Sequence, residues 1–370
     1  MTPKEKILAV FSRKGTPKLP WFADITYWYH AEAGKGNLPE KYRGDGVVQL
    51  YKDLGCGCHE HALNLPCDVT YEDVEIVEKI IPDADGNPHL QYIEWRTPVG
   101  TLTQIKQWES IGCCYAYKRY PVQTIDDLKV LRFIYEHQKV TPNYTIQNKQ
   151  LALWGDIGTP ASIPPRSPLA QLLVIWMGVT NTVYAMADDI VEVEKTLEVL
   201  DASDDPIYDI IEKSPATMVY FGENITSEVV TPNLFRKYYA PYYKKRVPGL
   251  HKAGKYIFVH VDGTVRGVLP LLDETGVDCG QSLTPYPVGD CTVAEMRELA
   301  GPNLILWSGV PGALFSPVYT DEPLKQVVKE CIEEFRHNWR FIIGICDQLP
   351  PDGLLDRVRM VTDMIEEAGL

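Results

Sequence analysis

The most specific chemical signal in the sequence is the run His260-Val261-Asp262-Gly263 taken together with Cys346. Residues two apart in extended chain project to the same side, so the imidazole and the carboxylate can address one point. Cys346 ends a later apolar run and can face them across the mouth of a sheet. Imidazole nitrogen, carboxylate oxygen and thiolate are acceptable ligands for zinc, leaving a fourth position for water or substrate. The simpler alternative is that His260 and Asp262 hydrogen-bond each other and Cys346 is a buried thiol. A second cluster, Cys56-Gly57-Cys58-His59-Glu60-His61, invites the same reading but has the wrong spacing. In a strand its cysteines face one side and its histidines the other, so one tetrahedral ion cannot use all four. It is read as a strand built from small residues.

Further reactive side chains cluster just after short apolar runs. They are Asp24, Tyr27, Trp28 and His30; Trp154 and Asp156; Glu223 and Asn224; Gln281; and Cys346 with Asp347. Carboxylates, histidine and cysteine so placed suit acid–base or metal chemistry. Asp24, Tyr27 and Glu223 are the candidate catalytic groups, with Trp28, Trp154, Asn224 and Gln281 as candidate substrate contacts. The dense aromatics Trp21, Phe22, Tyr27, Trp28 and Tyr29 suit either a packed mouth or a pocket for a flat, apolar ligand. Phosphate-cradling glycine loops and the G-x-S-x-G elbow are absent, so phosphoryl transfer, hydride transfer and serine hydrolysis lack support. Cys67, Cys113, Cys114, Cys279, Cys291 and Cys331 have no ligand spacing and read as structural or surface thiols.

The elements that must position these residues follow from the apolar runs. Leu19–Thr26, a segment near 55–63, Leu151–Trp154, Thr217–Phe221, Tyr256–His260, Val277–Ser282, Ile305–Ser308 and Phe341–Ile345 read as strands. After residue 124 they alternate with helical stretches, the pattern of βαβ units and a parallel sheet. Eight strands fit a TIM-type (β/α)8 barrel, an α/β fold whose active site lies at the C-terminal strand ends. The expected organisation is one barrel domain over 1–370, with an antiparallel β-rich meander inserted at about 69–120, where turn signals punctuate Val, Ile, Tyr and Trp. At 370 residues the chain is long for one domain but within the barrel range. A net charge of −14 argues against nucleic acid or an anionic membrane as partner. No run of about 18 apolar residues could span a bilayer, and no signal-peptide pattern opens the chain. A cytoplasmic location is therefore expected.

Four segments carry a resemblance to a known family: HVDGTVRGVLPLLDETGVDCGQSLTPYPVGD (260–290), RSPLAQLLVIWMG (166–178), FGENITSEVVTPNLFRKYYAPYYKK (221–245) and GICDQLPPDGL (344–354). In order and spacing they resemble the uroporphyrinogen decarboxylase superfamily, which implies the barrel. The resemblance implies one of two activities: cofactor-free decarboxylation of porphyrinogen acetate arms, or methyl transfer involving a corrinoid. True decarboxylases carry an arginine-rich segment of the type RQAGRYLP after the first strand. Here the stretch is WFADITYWYHAEAGKGNLPEKY, with no arginine before Arg43. A polycarboxylate substrate would meet Asp24 and aromatic rings, which counts against the porphyrinogen. The methyltransferases hold zinc with a His-x-Cys pair and a later cysteine. His260 and Cys346 match the outer two positions, and Asp262 stands in the middle one. Some members place a glutamate near Gln281, where this chain has an amide. The tract PWFADITYWYH…LPEKY is similar to the O-demethylase methyltransferases. No D-x-H-x-x-G motif is present, so the corrinoid is expected on a separate protein.

The mechanism this implies places an aromatic methyl ether against Tyr27, Trp28 and Trp154. A metal on His260, Asp262 and Cys346 acts as Lewis acid on the ether oxygen, or Asp24, Glu223 or Tyr27 supplies a proton. The Co(I) corrinoid takes the methyl group at the open face. Alternatives are metal-free decarboxylation with Asp24 or Asp262 stabilising a protonated pyrrole-like ring, a thioether, thiol, amine or alcohol donor, or a non-catalytic assembly role. Self-association into a homodimer stays open.

Overall fold

The computed structural model describes residues 1–59 and 63–370. These divide into two compact units: Met1–Pro66, Tyr144–Pro164 and Ile211–Leu370 in the first, and Cys67–Asn143 with Pro165–Ile210 in the second.

The first unit is built on one curled, eight-stranded, all-parallel sheet. Its strands are β1 (Trp21–Phe22), β2 (Leu63–Asn64), β9 (Ala161–Ser162), β10 (Met218–Ile225), β11 (Tyr256–Val261), β12 (Cys279–Leu283), β13 (Ile305–Pro311) and β14 (Phe341–Cys346). They run in the order β1-β14-β13-β12-β11-β10-β9-β2. Two isolated parallel bridges, Phe22 with Gly57 and Cys58 with Gly158, place Gly57 and Cys58 between β1 and the chain at Gly158. This is a TIM-barrel-like α/β fold. The strands buried on both faces read as near-continuous apolar runs, as parallel strands do; every residue of β12, β13 and β14 is buried.

Inward-facing Phe22, Met218, Tyr220, Phe258, Ile305, Trp307 and Ile342 form a single core cluster with Ile7, Val10 and Phe11 of helix α1 (Pro3–Phe11). α1 begins at a capping box, with Thr2 accepting from the Glu5 amide and Glu5 accepting from the Thr2 amide. Its apolar stripe, residues 7, 10 and 11, covers the N-terminal strand ends, where Phe11 packs on Tyr256 with ring centroids 5.7 Å apart. Burying each such side chain contributes roughly 1.5–3 kcal/mol. With that end filled, the C-terminal strand ends are left to hold polar groups.

Two sequence-stretch assignments need correction. Leu151–Trp154, expected as a strand, is the end of helix α5 (Thr145–Trp154), and the barrel strand at this place is β9. A four-residue apolar run fits either period. The deciding residue is Gln147, whose amide donates to Ser162 Oγ and accepts from the Ala216 N–H inside the structure. Leu19–Thr26 pairs only at Trp21–Phe22, because Asp24 captures the amide and hydroxyl of Thr26 and turns the chain into helix α2 (Thr26–Gly34).

The second unit holds an antiparallel sheet in the order β4 (Glu75–Pro82), β5 (Pro88–Thr97), β6 (Gly100–Glu109) and β7 (Cys114–Arg119), and an antiparallel pair of β3 (Cys67–Tyr71) with β8 (Gln138–Pro142). Trp95 of β5 packs edge-on against Trp176, whose indole N–H donates to Tyr135 Oη. The phenol in turn donates to Gln171 Oε1. Its helix Leu128–Glu136 is α4, anchored by Arg132, which bonds Thr196 and pairs with Glu192 at 2.8 Å. No helix among the described residues is long and apolar enough to cross a membrane.

Candidate active site

β11 and β12 run side by side with His260 in register with Gln281. The pairing puts the Gln281 carbonyl oxygen 2.7 Å from His260 Nδ1. The amide nitrogen of Gln281 lies 3.4 Å from His59 Nε2, and the His59 ring lies against Trp307 at 4.4 Å between centroids. All three polar side chains are buried. They form a column on an aromatic floor, in which Phe258 contacts both Tyr220 and Trp307. An amide oxygen accepts only, so Nδ1 of His260 carries a proton, and whenever the ring is neutral Nε2 carries the lone pair. The Gln281 N–H requires an acceptor at His59 Nε2, so that ring too carries its proton on Nδ1.

The His260 lone pair opens toward two carboxylates. Nε2 lies 3.5 Å from Asp347 Oδ1. One ligand atom from each of His260, Asp262 and Asp347 falls within 4.8 Å of the others. The imidazole side chain is 5% exposed and that of Asp347 is 42% exposed, so the group reaches from the interior to the rim. Three electron-pair donors converge with their negative ends together, an arrangement that a proton or a cation between them stabilises. A divalent metal fits on two counts. The donor set is one nitrogen and two oxygens, suited to zinc or another first-row ion. The second ring nitrogen of the histidine is engaged by a neighbour, as in metal-bound histidines generally.

Of the residues expected as ligands, His260 and Asp262 are brought together and Cys346 is not part of the group among the described residues. β14 ends at Cys346, and the chain turns there, so that the next residue, Asp347, faces the other two. Cys346 is buried, and burial, followed by the neighbouring Cys331, Asp347 and Asp262, pushes its thiol well above the usual range.

The remaining expected residues divide by position. Glu223 is buried near the end of β10, at a register shift between Phe221 and Ile225, and the exposed Asn224 beside it adopts φ +56°. Tyr27 and Trp28 are half-buried in the first turn of α2. Asp24 is buried and acts as an acceptor, taking bonds from Thr26 and from Gln348 Nε2 at 3.1 Å. Gln281, expected at the substrate, spans His260 and His59. Trp154 lies at the end of a helix and not at a strand end. It is buried on α5, edge-on to Tyr51 at 5.4 Å, and its indole donates to Gln150. Its Cβ sits 2.8 Å from where a Cβ at Gly158 would lie, at the start of the β9 segment. This corrects its placement, and the cause is the helix in place of the expected strand.

In the Cys56–His61 run, Cys56 and Cys58 are buried thiols, with Cys56 pushed up to about 12 by burial. Glu60 and His61 lie outside the described residues. Sequence reasoning singled out Asp347 but put Cys346 in its place beside His260 and Asp262, and it did not single out Gln348 or the contact of His59 with Gln281. Asp347 was accessible to it, as the first residue after the last strand.

Comparison with known proteins adds the following. The uroporphyrinogen decarboxylase (URO-D) family profile matches residues 170–368, more than half of the chain. No curated protein matches. Among solved structures, a methyltransferase from Methanosarcina mazei superimposes with a TM-score of 0.60 at 12% identity, covering 100% of both chains. A 3-dehydroquinate dehydratase from Geobacillus kaustophilus aligns over 66% of this chain and 76% of its own at 12% identity, with a TM-score of 0.30.

Proposed function

The chain belongs to the uroporphyrinogen decarboxylase family, and from that premise we propose that it is a cytoplasmic methyltransferase. It takes a methyl group from a small aromatic methyl ether and passes it to the Co(I) corrinoid of a separate corrinoid protein. The observation that carries this reading is the convergence of the His260 lone pair with the Asp262 and Asp347 carboxylates. The shared fold of the Methanosarcina mazei methyltransferase agrees with it.

In this reading His260, Asp262 and Asp347 hold a divalent metal, zinc by the family resemblance. When bound, it supplies Lewis acidity that offsets the charge growing on the leaving oxygen, without which a phenolate departs slowly. Every other contribution comes from the chain. Gln281 keeps the His260 Nε2 lone pair directed at the rim. Tyr27 and Trp28 flank the aromatic ring of the donor. Glu223, buried near the end of β10, holds a proton for the departing oxygen. The aromatic floor of Phe258 and Trp307 keeps water from entering below.

Family membership also favours a second reading, metal-free decarboxylation, with Asp24 or Asp262 stabilising a protonated pyrrole-like ring. No arginine stands between Trp21 and Arg43 to meet substrate carboxylates, and the Arg43 Nε donates to the Leu38 carbonyl. The test is an anaerobic assay with 2-methoxyphenol, a methyl thioether, a methylamine and methanol in separate arms, with cob(I)alamin as acceptor. Release of catechol matched by loss of the Co(I) absorbance, abolished in Asp262→Asn, supports the proposal. Transfer from another donor alone moves the substrate class. No transfer from any arm, together with carbon dioxide release from a porphyrinogen, replaces the proposal with the second reading.

A further inference from the structure

The segment that carries Asp347 is tied to the end of β1 through one residue. Gln348 Nε2 donates to Asp24 Oδ2 at 3.1 Å and lies 3.2 Å from Thr26 Oγ1. The next residue, Leu349, donates its backbone N–H to the Asp24 carbonyl at 2.8 Å. Thr26 in turn gives both its amide and its hydroxyl to Asp24 Oδ1. Asp24 is 2% exposed, so the accepting carboxylate is shielded from water at its own end of these part-buried bonds. On the other side the segment runs flush over residue 312, where a Cβ would stand 2.2 Å from the Gln348 carbonyl oxygen. Asp347 therefore sits on a short strap fixed from both sides, while its own carboxylate is 42% exposed.

Building on the metal reading above, we infer that Asp24 is a positioning residue and no proton donor: through Gln348 it holds the Asp347 carboxylate where it completes the cation site with His260 and Asp262. Without that clamp an exposed aspartate would sample several rotamers, and the ion would lose one of its protein ligands for part of the time. Residues that orient metal ligands in this way typically change affinity by about 10–100-fold when altered.

The direction of the hydrogen bond supplies the test. Asp24→Asn is isosteric but sets an amide N–H against the Gln348 N–H, a conflict that Gln348 relieves only by turning its amide over and giving up its donation to Thr26 Oγ1. Gln348→Glu sets two carboxylates against each other. The double variant Asp24→Asn/Gln348→Glu restores one donor and one acceptor, in reverse, at unchanged net charge. Cobalt(II) alone is titrated into each protein, read by dissociation constant and by the intensity of the visible d–d bands, with a thermal melt of each apoprotein alongside. Each single variant should bind cobalt about 10–100-fold more weakly, and the double variant should return to within about threefold of wild type, since the two changes act on one bond. Should Asp24→Asn fail to fold, Gln348→Met carries the test, because it removes only the donor and leaves the Asp24–Thr26 turn intact.

Wild-type binding weakened by Asp347→Asn but indifferent to Asp24→Asn and Gln348→Met overturns the clamp and leaves the cation site standing. Wild-type protein that binds no cobalt overturns both together. Equal weakening in the single and double variants also overturns the clamp, since a loss that ignores bond direction reflects general disturbance of the strap.

Discussion

Replacing Gln281 with leucine removes both ends of the bridge between His260 and His59 while keeping nearly the same volume. His260 Nδ1 lies 2.7 Å from the Gln281 oxygen and His59 Nε2 lies 3.4 Å from its nitrogen, all within the buried column. A buried polar group stripped of its partner costs about 1–3 kcal/mol. The His260 bond is short and the His59 contact long, so the larger share falls on His260. The sum is roughly 2–4 kcal/mol of lost stability, less whatever the leucine recovers by its own burial. The same change frees the His260 ring to adopt the other tautomer, and metal affinity should fall about 10–100-fold. Urea unfolding of the apoprotein measures the first quantity and cobalt(II) titration the second. Gln281→Glu separates them, because a carboxylate still accepts from His260 Nδ1–H while losing the donor to His59. It should keep most of the metal affinity and still lose stability. Gln281→Leu protein that binds cobalt as tightly as wild type would refute the argument that this amide sets the histidine.

Three other outcomes follow. Gly57→Ala should destabilise by about 1–3 kcal/mol, because a Cβ there would stand 2.6 Å from the Phe22 ring in the core; Phe22→Leu in the same chain should recover part of the loss in urea unfolding. Of nine cysteines, only Cys113 and Cys114 are not buried, so a thiol reagent should titrate two groups rapidly in native protein and all nine in denaturant; Cys113→Ser/Cys114→Ser should abolish the rapid phase. The His251 pKa is raised by its hydrogen bond to Asp278. A raised folded-state value means that its contribution is complete below about pH 6.5 and fades as pH climbs through the folded-state pKa. Since the imidazole is 39% exposed, the effect should be only a few tenths of a kcal/mol, read as a flatter stability–pH curve between pH 6 and 8 for His251→Gln.

Much of the barrel was legible because long parallel strands buried on both faces leave unmistakable apolar runs. β11 through β14 start within two residues of where those runs begin. The failures came where the paired segment is only two residues long. β1 and β9 are each that short, and nothing in two residues distinguishes a strand from its surroundings, whereas the apolar run at 151–154 carries the stronger strand signal although it is helical. At the site, His260 and Asp262 were legible because spacing within one strand fixes which way side chains point. Cys346 against Asp347 was not, because that choice depends on where the last strand stops and how the following turn is tied down. The tie is Asp24, more than 300 positions earlier in the chain, and long-range pairings leave no local pattern. His59 belongs to the same class, since its contact with Gln281 joins residues 222 positions apart.

The proposed chemistry requires His260, Asp262 and Asp347 to bind one ion together. Elemental analysis of anaerobically purified protein, with His260→Ala, Asp347→Asn and Cys346→Ser prepared in parallel, tests this most directly. About one equivalent of a divalent first-row metal in wild type, retained in Cys346→Ser and lost or greatly reduced in the other two variants, is the predicted result. Metal that survives both His260→Ala and Asp347→Asn, or that disappears only with Cys346→Ser, would contradict it.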